Sequence, residues 1–99
     1  MKLRDEKVYE FLKKLGELNV KPHTVYLILR FHEDGKLHWG KELTDRGYDV
    51  MDVYSTIELL AEKGDLARFK KQTQLTEKGR RDLKFIEEIA GVAAKLVIS

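Results

Sequence analysis

Apolar positions recur along the chain at helical spacing in four places. Val8, Phe11, Leu12, Leu15 and Leu18 fall three or four residues apart with charges between them, which predicts a first helix over about residues 4–17, ending near Gly16. Pro22 suits the first turn of a second helix, whose wide apolar face is Val25, Ile28, Leu29 and Phe31. His32-Glu33-Asp34-Gly35 stops it with a turn signal, and Lys36-Leu37-His38 is long enough for one strand pairing only. A short helix is expected over residues 40–46, closed by Gly47. Asp49 can cap the next helix, which turns Val53, Ile57 and Leu60 inward and runs to Lys63.

The tripeptide Glu-Lys-Gly then occurs twice, at residues 62–64 and 77–79. Gly64 follows a helix end, where a left-handed residue is wanted. Thr76 is a natural N-cap, which places Glu77 in a first turn, favourable for a carboxylate near the positive end of a helix. One copy closes a helix and the other opens one, so no internal repeat is needed. Between them residues 66–70 and 73–75 read as two short strands joined at Lys71-Gln72, a poor match to hairpin turn chemistry. The last helix is expected from about Glu77 towards Ile98.

Composition narrows the possibilities. The 99 residues fit one domain, with Lys and Arg totalling 19 against 17 for Asp and Glu, a net charge of +2 that by itself does not announce nucleic acid. Cysteine is absent, which excludes disulfides and thiolate chemistry. The apolar stretches are too short to span a membrane and the N-terminus is charged throughout, so no membrane partner is expected and a cytoplasmic location is. A charged fraction of 36% with one proline suits a heat-adapted protein. No nucleophile–base pair, phosphate loop or carboxylate constellation is recognisable, so neither catalysis nor a cofactor is expected.

Helix, helix, short strand, helix, turn, helix, β-hairpin, helix is the order of a winged helix-turn-helix: α+β, mostly α, with a small β-hairpin wing and added N- and C-terminal dimerisation helices. The run from Gly40 to Leu66 resembles the helix-turn-helix of the MarR and PadR regulators, with similar spacing from Gly47 to Gly64. Val53-Tyr54-Ser55-Thr56-Ile57 is similar to the Leu-Tyr-Ser-Ala-Leu type of recognition helix in PadR-like proteins. Leu37-His38-Trp39-Gly40-Lys41-Glu42-Leu43 resembles their Leu-His-Gly-Tyr-Glu-Leu segment with one extra residue, and Leu75-Thr76-Glu77-Lys78-Gly79-Arg80 resembles the segment after the wing. The resemblance covers roughly residues 22–83. It implies a dimeric transcription factor with the helix of residues 49–63 in the major groove. The expected organisation is a single domain over 1–99, with the helix-turn-helix at about 40–63, the wing at about 66–75 and the dimerisation helix at about 77–98.

The residues themselves support double-stranded DNA as a partner in part. Arg68, Lys70, Lys71, Lys78, Arg80 and Arg81 form a basic run with one acid, Glu77, among them, as phosphate neutralisation requires; a lysine-protected sheet edge would look the same. Met51, Ser55, Glu58 and Glu62 face outward on the helix before it, flanked by Asp52 and Tyr54, with no Arg, Lys, Asn or Gln before Lys63. Met51 would touch a thymine methyl, Asp52 or Glu58 would accept from a cytosine amino group, and Ser55 would bond a phosphate; Asp49 and Asp52 also serve as caps. The candidate DNA contacts are thus Met51, Asp52, Tyr54, Ser55, Arg68, Lys70 and Lys71. A module that binds protein and not DNA is the alternative, and the acidic helix favours it.

His32, Glu33, Asp34 and His38 flank one turn, but their spacing matches no standard zinc site, so no metal is expected. Trp39 and Tyr48 would line an effector pocket if the resemblance extends to ligand sensing; packing at the core or edge is the plainer role. The C-terminal segment is apolar on more than one helix face, through Ile86, Ile89, Ala93, Leu96 and Val97. With Phe11 and Leu15 these residues are the expected homodimer interface.

Overall fold

The computed structural model describes residue 17 and residues 20–98, with side chains up to residue 88. The fold is α+β and mostly helical. Among the described residues the elements run α1 (Pro22–Phe31), β1 (His38–Trp39), α2 (Gly40–Thr44), α3 (Val50–Lys63), β2 (Leu66–Phe69), β3 (Gln72–Leu75) and α4 (Glu77–Ile98). The strands form one antiparallel sheet in the order β1-β3-β2. Of the expected first helix only Glu17, which is helical, is described.

The helical apolar faces meet as their spacing requires. Val25, Ile28 and Leu29 of α1 join Leu43 of α2, Val53, Ile57 and Leu60 of α3, Leu66, Leu75 and Leu83 in one buried cluster. Local signals fix the ends of α3. The Asp49 side chain accepts from the Asp52 amide at 2.9 Å, and Gly64 closes the helix in the left-handed region at φ 88°. The short helix α2 ends at Thr44, two residues sooner than expected. The amides of Arg46 and Gly47 bond three residues back, to Leu43 and Thr44, which tightens the chain before Gly47 at φ 96°.

The hairpin corrects the expected turn. Its loop is Lys70-Lys71, not Lys71-Gln72, and Phe69 pairs directly with Gln72. Lys70 adopts φ 58°, the one positive φ among the described non-glycine residues, and this closes a two-residue turn without the usual Gly or Asn. The register keeps Leu66 and Leu75 opposite one another and buried.

The base of the hairpin brings the two Glu-Lys-Gly copies together. Thr76 Oγ1 donates to the Gly64 carbonyl at 2.6 Å and accepts from the Gly79 amide at 3.0 Å, while the Thr76 amide bonds Asp65 O at 3.1 Å. A side chain on Gly79 has no room: a β-carbon there would overlap the Asp65 carbonyl oxygen and stand 2.6 Å from Leu75 Cδ1. Asp65 itself is 1% exposed, 3.1 Å from Lys78 Nζ and 4.0 Å from Lys63 Nζ; Lys78 also reaches Asp82 at 3.1 Å.

A second tie runs from α1 to the sheet. His32 is buried, its Nδ1–H donates to Ile28 O at 2.7 Å, and its Nε2 accepts from the Thr73 hydroxyl at 2.8 Å. Burial lowers its pKa, consistent with a neutral ring that has one donor and one acceptor nitrogen.

Candidate functional site

The first turns of α3 carry the largest exposed apolar residues of that helix. Val50 is 58% exposed, Met51 78% and Tyr54 47%. Inward phasing through Val53, Ile57 and Leu60 forces these positions, with Ser55, Glu58 and Glu62, to solvent. Val50 was not anticipated; it directly follows the cap, where the helix has not yet met its neighbours. Tyr54 rests against Gly40, since a β-carbon on Gly40 would lie 2.7 Å from its ring. The absence of a side chain on Gly40 therefore sets where that ring lies.

Two of the polar candidates have partners already. Asp52 accepts from Lys21 Nζ at 2.8 Å, and this ion pair ties the start of α1 to α3 and draws the Lys21 pKa upward. Ser55 Oγ donates to the Met51 carbonyl one turn back at 2.6 Å, leaving its lone pairs to receive a donor. The side chain that would give a proton to a phosphate is thus spent within the helix.

The expected basic run divides. Lys78 turns to Asp65 and Asp82, and Arg80 donates to the Glu33 carbonyl at 3.3 Å. Arg68, Lys70 and Lys71 are exposed on the hairpin, which contains no acid from Leu66 to Thr76. Such a tip is a compact cationic feature on a rigid base. Lys70 occupies a conformation that costs a side-chain-bearing residue energy. Lys70→Gly is therefore expected to raise the unfolding free energy by about 0.5–1 kcal/mol, read from urea midpoints. An unchanged or lower midpoint would show that lysine holds this conformation without strain.

His32 has both ring nitrogens engaged, and His38 lies between Asp34 at 2.9 Å and Glu42 at 3.2 Å. No group of three or more metal-ligating side chains exists among the described residues. Trp39 and Tyr48 are placed differently. Tyr48 borders a groove of about 580 Å³ with Tyr26, Arg30, Asp49 and Asp52, whereas Trp39 lies 47% exposed on the sheet. Ile86 is partly buried against the core. Ile89, Ala93, Leu96 and Val97 belong to α4, but their side chains, like Phe11 and Leu15 altogether, lie outside the described residues. No described helix is long and apolar enough to cross a membrane.

Comparison with protein-family models, with curated proteins and with solved structures finds no match to this chain, so the exposed start of α3 and the cationic hairpin carry the functional reading on their own.

Proposed function

We propose that the chain is a winged helix-turn-helix protein that binds double-stranded DNA as a homodimer and regulates transcription. In this reading α2 and α3 form the helix-turn-helix, α3 enters the major groove, and the β2–β3 hairpin is a wing on the phosphate backbone. The observation that carries it is the hairpin: three exposed cations, no acid, and a fixed base two residues beyond α3. Phosphate attraction dominates the affinity of such contacts. Val50 and Met51 supply apolar contact of the kind that meets thymine methyl groups. The N-terminal segment expected to carry Phe11 and Leu15, together with the end of α4, is the expected dimer interface, and a two-fold protein reads two half-sites about one helical turn apart.

The acidic and apolar face of α3 favours a second reading, a winged-helix module that binds another protein. Glu58 and Glu62 are exposed there, and Lys21 offsets only Asp52. One series of measurements separates the two. Duplexes enriched by unbiased selection, and random duplexes, are titrated at several salt concentrations, with the mass of the free protein measured by light scattering. Lys70→Ala and Lys71→Ala should each weaken both duplexes about equally and reduce the salt slope by about 0.9 per lost phosphate contact. Met51→Ala and Ser55→Ala should lose more on the selected duplex than on random DNA. A wild type that binds no duplex at low salt removes the DNA reading in favour of the protein module. A monomer mass at high concentration removes the dimer.

A further inference from the structure

The sheet has a second face. Leu66, Thr73 and Leu75 are buried on the side packed against the helices. Strand alternation places Ala67, Phe69, Gln72 and Gln74 on the other side. Trp39 pairs with Gln72, and Gln72 pairs with Phe69, so the three stand in one row across the strands. Directly paired residues project from the same face, and neighbouring strands lie about 4.8 Å apart. Two aromatic residues therefore flank a glutamine, about 10 Å from one another across the sheet. Both are exposed, Trp39 by 47% and Phe69 by 52%, and Leu37, 42% exposed, precedes them.

We propose that this face is a stacking platform for unpaired nucleotides. Aromatic rings on a rigid sheet meet the flat face of any base, and base–aromatic stacking tolerates sequence. The Gln72 amide between them is both donor and acceptor for a base edge. Lys70 and Lys71 adjoin the row at the hairpin turn, where the phosphates of a strand crossing the face would run, and no acid interrupts the hairpin. The nearby carboxylate of Glu42 is occupied by the Trp39 amide at 2.6 Å and by His38. An extended acidic peptide would instead add to a sheet edge, where backbone groups are free; the unusual exposure here is of aromatic side chains standing on the sheet's outer face. The platform shares Lys70 and Lys71 with the duplex reading but does not depend on it, because Trp39 and Phe69 take no part in that reading.

Trp39 is the sole tryptophan, so its fluorescence reports the site directly. The full chain is titrated with a 12-nucleotide oligothymidylate, an abasic strand of the same length and a 12-base-pair duplex, with labelled strands followed by anisotropy. The oligothymidylate should quench Trp39, and the abasic strand should bind more weakly without quenching. Trp39→Ala and Phe69→Ala should each weaken single-strand binding by about tenfold or more and change duplex binding less than twofold. Trp39→Phe should restore most of the loss. Unfolding midpoints identify any variant that fails to fold, and the wild-type quench stands independently of the variants. Absent quenching, equal binding of the abasic strand, or unaffected alanine variants that remain folded would overturn the platform. Quenching by polyglutamate and not by the oligothymidylate would also overturn it and mark a docking surface for acidic protein. Single-strand binding without duplex binding would remove the regulator reading alone.

Discussion

Gly79→Ala should destabilise the protein by about 3 kcal/mol although it places alanine in a helix. Helix propensity favours alanine over glycine by about 1 kcal/mol. Steric conflict outweighs that gain, because the added carbon meets the backbone carbonyl of Asp65, which cannot swing aside as a side chain would. The carbonyl accepts from the Thr76 amide, so displacing it opens the base of the hairpin. Against a total stability of about 5–15 kcal/mol such a loss is large. Gly64→Ala, in the other copy of the same tripeptide, should cost only about 1–2 kcal/mol, since φ 88° burdens any side chain while the nearest atom to a β-carbon there is 3.8 Å away. One glycine is required for space and the other for torsion. Chemical unfolding of the two variants tests both, and a Gly79→Ala protein within 0.5 kcal/mol of wild type would refute the close approach.

The second large effect is a pH dependence centred on Asp65. Burial, and next the neighbouring Asp82 carboxyl, push Asp65 up to about 6 against the pull of Lys78. Asp82 moves the opposite way, so the two carboxyls titrate as a linked pair. The unfolded chain releases the Asp65 proton near 3.8, while the folded chain keeps it to about 6. Between those values the folded state binds more protons, and its stability from this group falls as pH rises. Asp65→Asn removes the dependence. Its unfolding free energy should gain on wild type steadily from pH 4 to pH 6.5 and then level off. His32, whose pKa burial lowers, contributes the opposite slope, stability lost as pH falls, but equally in both proteins. Parallel stability curves for the two proteins would show that Asp65 is ionised throughout.

What the sequence revealed was local chemistry. Asp49, Gly47, Gly64 and Thr76 announce helix ends through side-chain acceptors or left-handed torsions, each within a few residues. Val53, Ile57 and Leu60 announce the phase of α3, and with it the outward Met51 and Tyr54. The hairpin turn falls one residue before the place its sequence suggests because Lys70 takes a conformation that turn chemistry assigns to Gly or Asn. That displacement by one residue concealed the Trp39–Gln72–Phe69 row, since register decides which face every side chain joins. The partners of Asp65, His32 and Asp52 were illegible for another reason. Asp65 meets Lys78 across 13 residues, Asp52 meets Lys21 across 31 and His32 meets Thr73 across 41, and no periodicity encodes such meetings. They also dissolve what looked like one basic run, by turning Lys78 inward.

The hydroxyl of Thr76 on the Gly64 carbonyl has a wider meaning for how this surface can change. It fastens the two ends of the hairpin to one another and to two helices, twelve residues apart in sequence. Beyond that clasp the strands are held by their own pairing, by β1 and by the His32–Thr73 bond, and the Lys70-Lys71 tip lies past the last of these ties. Extra residues at the tip would lengthen an already closed loop, and doubling such a loop costs only about 0.6 kcal/mol. Length and charge at the tip can therefore change at little cost to the core, which leaves the tip the part of this surface most open to variation.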